Sequence, residues 1–184
     1  IPSILGSTLY CIEEKFFKRG NGIAFRDKHN IEKDRPTLVH IGRVAHEKNI
    51  DFLLHMLVKL RKTIPNILLV IAGEGPAEQH LKKLSQSLGI ENNVVFVGYL
   101  DRETSLLDCY CAGDLFIFAS RTETQGLVLL EAMAQGTPVV SIAALGTNDI
   151  LSAAKGAIVV DEDVNAFSET VANLLNDKSL QEKL

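Results

Sequence analysis

The chain has 184 residues, which is within the size range of one folded domain and is long enough to bury a substantial core. Hydrophobic residues make up 46% and charged residues 23%, so the composition excludes an intrinsically disordered chain. The net charge of −4 gives no reason to expect a surface that binds nucleic acid. No apolar run reaches the roughly 18 residues of a membrane span. Three cysteines without a zinc-binding spacing indicate reduced thiols in a cytoplasmic protein.

From about residue 37, the hydrophobic pattern predicts an alternation of strands and helices. Short apolar runs of the kind found in buried strands occupy residues 38–42, 66–72, 94–97, 114–119, 138–142 and 157–160. Helices are predicted after them, at residues 49–62, 76–88, 103–112, 126–135, 148–154 and 163–175. Continuous apolar strands that are each followed by a helix are typical of a parallel sheet covered on both faces. We therefore predict an α/β fold, a Rossmann-like, doubly wound and mostly parallel sheet of about six strands.

Residues 1–36 do not follow this alternation, and we interpret them as a linker or remnant connecting to a missing N-terminal domain. Residues 37–184 are then the folded domain. The chain begins Ile-Pro-Ser rather than with Met, which fits a piece of a longer protein. The basic run KFFKRG, residues 15–20, is typical of a solvated segment. Peripheral contact with a membrane in the full-length protein is the alternative for this run.

Ligands of parallel sheets bind beyond the carboxyl ends of the strands, so the loops that leave the strands are the candidate sites. The loop GRVAHEK, residues 42–48, carries Arg43 and Lys48. A guanidinium fork and an ammonium point charge suit a diphosphate. Taken alone, the loop favours the alternative that the two cations are solvated surface charges, and only its position at the end of a strand raises the case for a ligand site.

The stretch SRTETQGLVLLEAMAQGTPVV places two glutamates around the start of an apolar helix. The predicted helix begins near Gln125 and Gly126, where free N–H groups form an anion site and glycine admits a ligand close to the backbone. Glu123 precedes this helix, and Glu131 lies about one and a half turns inside it. The two carboxylates are too far apart to act as a pair, so we expect them to contact separate hydroxyl-bearing groups of an extended ligand.

A structural role for the same residues is the alternative. Ser120 and Glu123 match the spacing of a capping box, and Glu131 would then pair with a lysine at the surface. The predicted helix has almost no polar face, which argues against a surface position for Glu131.

Other motifs do not develop into sites. The sequence Gly73-Glu-Gly75 starts a dinucleotide fingerprint, but Glu78 stands at the third glycine position. Asp163 ends a DxD sequence and is better interpreted as the N-cap of the last helix. The histidines show no zinc-binding pattern, because His46 and Glu47 are not followed by the second histidine of a zincin helix, and no metal site is predicted.

The motifs GRVAHEKN, IAGEGP, VVFVGYL and SRTETQGLVLLEAMAQGTPVV occur in this order. From about residue 36 to residue 177, the chain resembles the C-terminal, donor-binding domain of GT-B glycosyltransferases of family 4. The signature Glu123-x7-Glu131 is specific in combination with Arg43-x4-Lys48. The resemblance implies retaining transfer of a sugar from a nucleoside-diphosphate sugar, either a UDP-sugar or a GDP-sugar. It implies a lipid, polysaccharide or small-molecule acceptor, no cofactor and no bound metal, and a place in the cytoplasm, including the inner face of the membrane.

The resemblance also implies catalytic roles. Arg43 and Lys48 would bind the donor diphosphate and stabilise the charge that develops on the departing nucleoside diphosphate. Glu123 would hold hydroxyls of the transferred sugar near its anomeric carbon, and Glu131 would accept hydrogen bonds from the ribose hydroxyls.

Further donor contacts are implied at the helix start and at a strand end. The amides of Gln125, Gly126 and Leu127 would hold the diphosphate, and the loop at Tyr99 and Leu100 would lie near the base. The sequence departs from the common family pattern in two places. Many members have Phe where Gln125 stands, and many have an acidic residue in the loop at residues 143–147.

The acceptor site of such enzymes lies in the N-terminal domain, which this chain lacks. We therefore expect the chain to bind a nucleotide donor weakly and not to turn over. Two alternatives stay open. One is a nucleotide-sugar epimerase or phosphorylase of the same architecture, and the other is a non-catalytic Rossmann-like interaction domain in which Glu131 is structural.

Overall fold

The computed structural model describes residues 18–122, 126–142 and 156–181. Within them, six strands form one sheet in which every pairing is parallel. The strands are β1 (Thr37–Ile41), β2 (Leu68–Ala72), β3 (Val94–Gly98), β4 (Leu115–Phe118), β5 (Val139–Ile142) and β6 (Ala157–Val160). Their spatial order is β3-β2-β1-β4-β5-β6, so the chain winds outward from β1 in one direction and then in the other. The predicted doubly wound sheet is confirmed.

The α-helices of the described residues are α1 (Gly22–Lys28), α2 (Ile50–Leu60), α3 (Glu78–Ser87), α4 (Ser105–Ala112), α5 (Leu127–Ala134), α6 (Val164–Asn176) and α7 (Lys178–Gln181). Helices α2 to α6 begin and end within two residues of the predicted positions, whereas α1, in the segment interpreted as a linker, and α7 were not predicted. Asp163 caps α6 as predicted, because its side chain accepts a hydrogen bond from the amide of Ala166 at 2.8 Å. The predicted helix at 148–154 lies outside the described residues. None of the helices that the structure describes is long and apolar enough to cross a membrane.

The sheet separates two hydrophobic cores, because successive side chains along a strand point to opposite faces. Helices α2, α3 and α6 cover one face and contribute residues such as Leu53, Leu81 and Phe167. Helices α1, α4 and α5 cover the other face, with Phe25, Tyr110 and Leu129 among their buried residues. This arrangement leaves the carboxyl edge of the sheet to the loops.

A buried arginine ties the segment before the sheet to the folded domain. The guanidinium of Arg26 is mostly buried, and its Nε donates to the carbonyl of Ala112 at 2.9 Å. Its Nη1 donates to three further carbonyls at 2.9 to 3.1 Å, those of Glu32, Lys33 and Arg35. The described part of the predicted linker is therefore packed onto the domain, while its role as a connection to another domain stays a prediction.

A buried histidine lies near the end of β1. His40 is fully buried, and its Nδ1 lies 3.2 Å from the carbonyl oxygen of Ile117. Burial lowers the pKa of His40 to about 4, although the hydrogen bond to Ile117 opposes this change. The ring is therefore neutral at pH 7, and Nδ1 carries the proton that the carbonyl accepts.

Candidate functional site

A cleft with a volume of about 330 Å³ opens at the carboxyl edge of the sheet. The ends of β1 and β2, the loops that leave β1, β2 and β3, and helices α4 and α5 all contribute to its lining. Its lining residues are Ile41, Gly42, Arg43, Ala72, Gly73, Glu74, Tyr99, Leu100, Arg102, Leu106, Val128 and Glu131. Parallel α/β sheets bind ligands at this edge.

Glycines let the first two strand-exit loops pass in direct contact beside the cleft. A Cβ atom on Gly73 would lie 1.9 Å from the carbonyl oxygen of Gly42, and one on Gly75 would lie 2.2 Å from that of Val44. Gly73 also has a φ of +122°, which side chains rarely tolerate. The glycines of Gly73-Glu-Gly75 are therefore explained by the close packing of the loops after β1 and β2, and not by a dinucleotide fingerprint.

Glu131 is the buried charge of the cleft. Only 5% of the residue is exposed, and both of its carboxylate oxygens accept hydrogen bonds. Tyr110 donates its hydroxyl to Oε2 at 2.8 Å, and Arg102 donates Nη2 to Oε1 at 3.0 Å. Such bonds are what a buried carboxylate requires. The alternative that places Glu131 at the outer surface is wrong, because the residue is buried and lines the cleft.

Tyr110 and Arg102 hold Glu131 from different surroundings. Tyr110 is fully buried in α4, and burial together with the Glu131 carboxylate raises the pKa of its hydroxyl well above the ordinary value. The hydroxyl therefore remains a hydrogen-bond donor at all physiological pH values. Arg102 lies in the loop after β3, and its side chain is 51% exposed at the mouth of the cleft. One partner is thus fixed by the core, and the other is in contact with solvent.

Asp101 holds the loop that carries Arg102. Its side chain accepts hydrogen bonds from the hydroxyl and amide of Ser105, from the amide and hydroxyl of Thr104, and from the amide of Glu103. These bonds, above all the one from the Ser105 hydroxyl, lower the pKa of Asp101. The loop that precedes α4 is therefore fixed by an ionised carboxylate next to Arg102.

The two predicted cations of the first loop occupy different positions. Arg43 lines the cleft, its side chain is 67% exposed, and its Nη1 lies 3.8 Å from the Glu47 carboxylate. Lys48 ends the 3-10 turn His46–Lys48 and is half-buried. Among the described residues, the lining of the cleft includes Arg43 but not Lys48. The role of Lys48 in a diphosphate site stays a prediction.

The N-cap of helix α5 is a glycine whose backbone lies in the left-handed region. Gly126 is its N-cap with a φ of +57°, and Leu127 is its first residue. The alternative capping box starting at Ser120 is wrong for this helix, because α5 begins seven positions later. Glu123 and Gln125 lie outside the described residues, so their predicted contacts stay predictions.

The structure brings four of the predicted residues together at one cleft: Arg43, Tyr99, Leu100 and Glu131. Arg102, Tyr110 and Glu74 also belong to the site or contact it, and they were not predicted from the sequence. Arg102 and Glu74 follow strand ends, which was the available signal. Tyr110 could not be predicted, because tyrosines are common in buried helices and the sequence does not show that its hydroxyl contacts a carboxylate.

One group of metal-ligating side chains lies away from the cleft. Among the described residues, only His46, Asp51 and His80 form a group of three that is close enough to share an ion. None of them lines the cleft. The described residues therefore offer the cleft a cationic, acidic and aromatic lining without a set of three metal ligands.

A parallel, doubly wound sheet with an ion-paired cleft at its carboxyl edge defines the class of Rossmann-like ligand-binding domains. Residues 23–184 match the family model for glycosyl transferases group 1, and the chain belongs to this family. Its fold is one half of the GT-B architecture, as the similar solved structures also show.

Individual relatives agree with this family. The alpha-monoglucosyldiacylglycerol synthase of Streptococcus pneumoniae is 35% identical over 185 residues, which cover 97% of this chain and 42% of the synthase. The crystal structure of Anabaena HepE in complex with UDP is 19% identical, with a TM-score of 0.82 over 94% of this chain and 48% of that one. The C-terminal domain of the group 1 protein LpcC from Francisella tularensis is 20% identical, with a TM-score of 0.79. The match covers 94% of this chain and 91% of the LpcC domain. The chain spans about two fifths of the curated relatives it matches.

Proposed function

We propose that this chain is the nucleotide-sugar donor-binding domain of a retaining glycosyltransferase of family 4. The complete enzyme transfers a sugar from a UDP-sugar or GDP-sugar to a lipid, polysaccharide or small-molecule acceptor in the cytoplasm. The observation that carries the proposal is Glu131, a buried carboxylate that lines the cleft and is oriented by Tyr110 and Arg102. Family membership and the UDP complex of a protein with the same fold support it.

Glu131 is suited to accept hydrogen bonds from the ribose hydroxyls. A carboxylate offers about four acceptor positions, and hydroxyl groups are natural donors to it. Its orientation is set before a ligand arrives, because Tyr110 is immobile in the core and Arg102 is held by an anchored loop. A site that is ordered in advance loses less conformational entropy on binding.

Arg43 is suited to the diphosphate. Its side chain is exposed at the cleft, and its contact with Glu47 is a surface ion pair, which contributes little. The guanidinium can therefore turn towards a diphosphate at small cost and form charge-assisted, bidentate hydrogen bonds. In the proposed reaction, Arg43 and Lys48 stabilise the charge on the departing nucleoside diphosphate, which is electrostatic catalysis.

The remaining contacts complete the donor. Leu127 and Gly126 begin α5, whose N-terminal amides favour an anion. Together with Gln125 they contact the diphosphate, and Glu123 holds the transferred sugar. Tyr99 is 70% exposed beside the cleft and offers a ring face to the base.

Calorimetric titration of the 184-residue chain with UDP, GDP and ADP tests this proposal. We expect UDP or GDP to bind, and we expect Arg43→Ala and Glu131→Gln each to weaken that binding by about tenfold to a hundredfold. The reason is that each change removes a hydrogen bond to a charged group, worth about 1.5–3 kcal/mol.

Lys83→Ala on α3 and Glu169→Gln on α6 are matched controls, because they make the same charge changes at exposed positions outside the cleft. Both should bind like the unaltered chain. Failure to bind any nucleotide would instead favour the non-catalytic interaction domain.

The absence of turnover is part of the proposal. This chain corresponds to about two fifths of its relatives, and the acceptor site is assigned to the part it lacks. Incubating the chain with labelled UDP-sugars and GDP-sugars and candidate acceptors should give no transfer product. Robust transfer by the chain alone would contradict the proposal that the acceptor site lies outside this chain.

A further inference from the structure

Three side chains from three neighbouring elements meet outside the cleft. His46 lies in the 3-10 turn after β1, Asp51 lies in the first turn of α2, and His80 lies in α3. Their ligand atoms all lie within 4.8 Å of one another. The Nε2 atom of His80 is 3.1 Å and 3.3 Å from the two carboxylate oxygens of Asp51, and the rings of His46 and His80 have centroids 5.3 Å apart.

These separations are close to those of ligands on one metal ion. Zinc holds nitrogen and oxygen ligands at about 2.0–2.2 Å in a tetrahedron, so two ligand atoms on one ion lie about 3.3–3.6 Å apart. His80 and Asp51 are already at nearly this spacing. His46 must approach by roughly 1.5 Å at most, and its exposed side chain can do so by rotating about its own bonds.

The donor set also selects the kind of ion. Two imidazoles and one carboxylate are the ligands of many zinc sites in which water occupies the fourth position. Magnesium and calcium prefer sites built from oxygen ligands alone. The side chains of Asp51 and His80 are 41% and 49% exposed, so an ion can reach them and keep a water ligand.

The scaffold under these side chains is rigid. Helix α2 is anchored by Ile50, Leu53 and Leu54, which are buried in the core within one turn of Asp51. Helix α3 is anchored beside His80 by the buried Leu81. The helix backbones therefore need not move for Asp51 and His80 to bind an ion together.

We propose that His46, Asp51 and His80 form a zinc site that cross-links the 3-10 turn, α2 and α3. Zinc takes the place of the proton between His80 Nε2 and Asp51, and that proton leaves to solvent or moves to Nδ1, so the imidazole binds in its neutral form. The site does not depend on the proposed donor site, since none of the three residues lines the cleft. Because His46 lies between Arg43 and Lys48 in the chain, the ion also holds the segment that carries both cations.

Titration of the 184-residue chain with ZnCl2, without nucleotide, tests the site by calorimetry and by thermal unfolding. We expect one zinc ion per chain and a zinc-dependent rise in Tm, because an ion that binds only the folded state stabilises it. His46→Ala, Asp51→Asn and His80→Ala should each weaken zinc binding by tenfold or more, since even losing a partner of a metal ligand costs about ten- to a hundredfold.

His55→Ala is the matched control, because His55 is an exposed histidine on α2 outside the group. It should keep the affinity of the unaltered chain. Each variant is compared through its zinc-induced change in Tm, so that a loss of the His80–Asp51 bond in the metal-free protein does not enter the comparison.

Cobalt substitution separates this site from binding at cysteine. The Co²⁺ form should show d–d absorption without a thiolate charge-transfer band. Equal zinc affinity in the unaltered chain and in the His46→Ala/His80→Ala double variant would overturn the proposal, and so would a thiolate band.

Discussion

Removing the hydroxyl of Tyr110 is the most direct test of how the cleft carboxylate is held. The substitution Tyr110→Phe keeps the ring, which packs against Phe116 with centroids 5.5 Å apart, and removes the donor that lies 2.8 Å from Glu131 Oε2. A hydrogen bond to a charged group contributes about 1.5–3 kcal/mol, and this one is fully buried. We therefore expect Tyr110→Phe to lower the free energy of unfolding by about 1.5–3 kcal/mol.

The cost of the same change should depend on the acceptor. In a Glu131→Leu background the carboxylate is replaced by an apolar side chain that fills much of the same space, so Tyr110→Phe no longer breaks a bond to it. Residues in one hydrogen-bonded network couple by about 0.5–3 kcal/mol. We expect the cost of Tyr110→Phe to be smaller by about 1.5–3 kcal/mol in that background than in the unaltered chain.

Urea unfolding of the four proteins, followed by circular dichroism, measures this coupling energy. The slope of each transition should be unchanged, which shows that the midpoints report stability. If Tyr110→Phe cost the same in both backgrounds, the Tyr110–Glu131 bond would contribute nothing. The carboxylate would then have to be oriented by other contacts, such as the one with Arg102.

Two further predictions concern the frame around the cleft. The unfolding free energy should fall by about 2.5 kcal/mol through His40 as the pH falls from 6.5 to 4, because the unfolded imidazole takes up a proton in this range, whereas the buried one, with a pKa of about 4, stays mostly neutral until the end of it. His40→Phe should lack this component when urea unfolding is repeated at each pH, and an unchanged pH dependence would contradict it. Gly73→Ala should destabilise the fold by at least ~3 kcal/mol more than Gly89→Ala in the same assay. Both glycines have a positive φ, but an added Cβ meets the Gly42 carbonyl in one case and open space in the other; equal costs would refute the packing argument.

The architecture could be predicted from the sequence because its signal is local. Each strand is a short apolar run, and each helix has its own periodicity, so the alternation is visible without knowing any contact. The spatial order of the strands was not predicted, because parallel pairing and right-handed crossovers reduce the number of possible orders without selecting one. The ends of the strands and helices were predicted less well. More than half of the observed ends lie one or two residues inside the predicted ones.

The contacts that define the sites could not be predicted, because they depend on distance in space rather than in sequence. Glu131 was predicted to lie in a cleft, but Arg102 and Tyr110 reach it from 29 and 21 positions away. His80 reaches Asp51 from 29 positions away, so no motif spacing reveals the pair. Arg26 was placed in a polar linker, since nothing in its sequence shows that four carbonyls surround it.

Stability alone does not explain why a glutamate occupies position 131. Helix α5 is otherwise apolar, and replacing a buried ion pair by well-packed apolar residues is often neutral or stabilising by about 1–4 kcal/mol. The chain instead surrounds Glu131 with a core tyrosine and with an arginine on an anchored loop. Their hydrogen bonds offset the cost of desolvating the carboxylate and fix its position at the cleft. Under the proposed function, a charge kept in this way at the ligand-binding edge of the sheet serves to bind the donor. The same bonds that make Glu131 tolerable in the fold make it a fixed acceptor for hydroxyl groups, which is the chemistry that a nucleotide ribose presents.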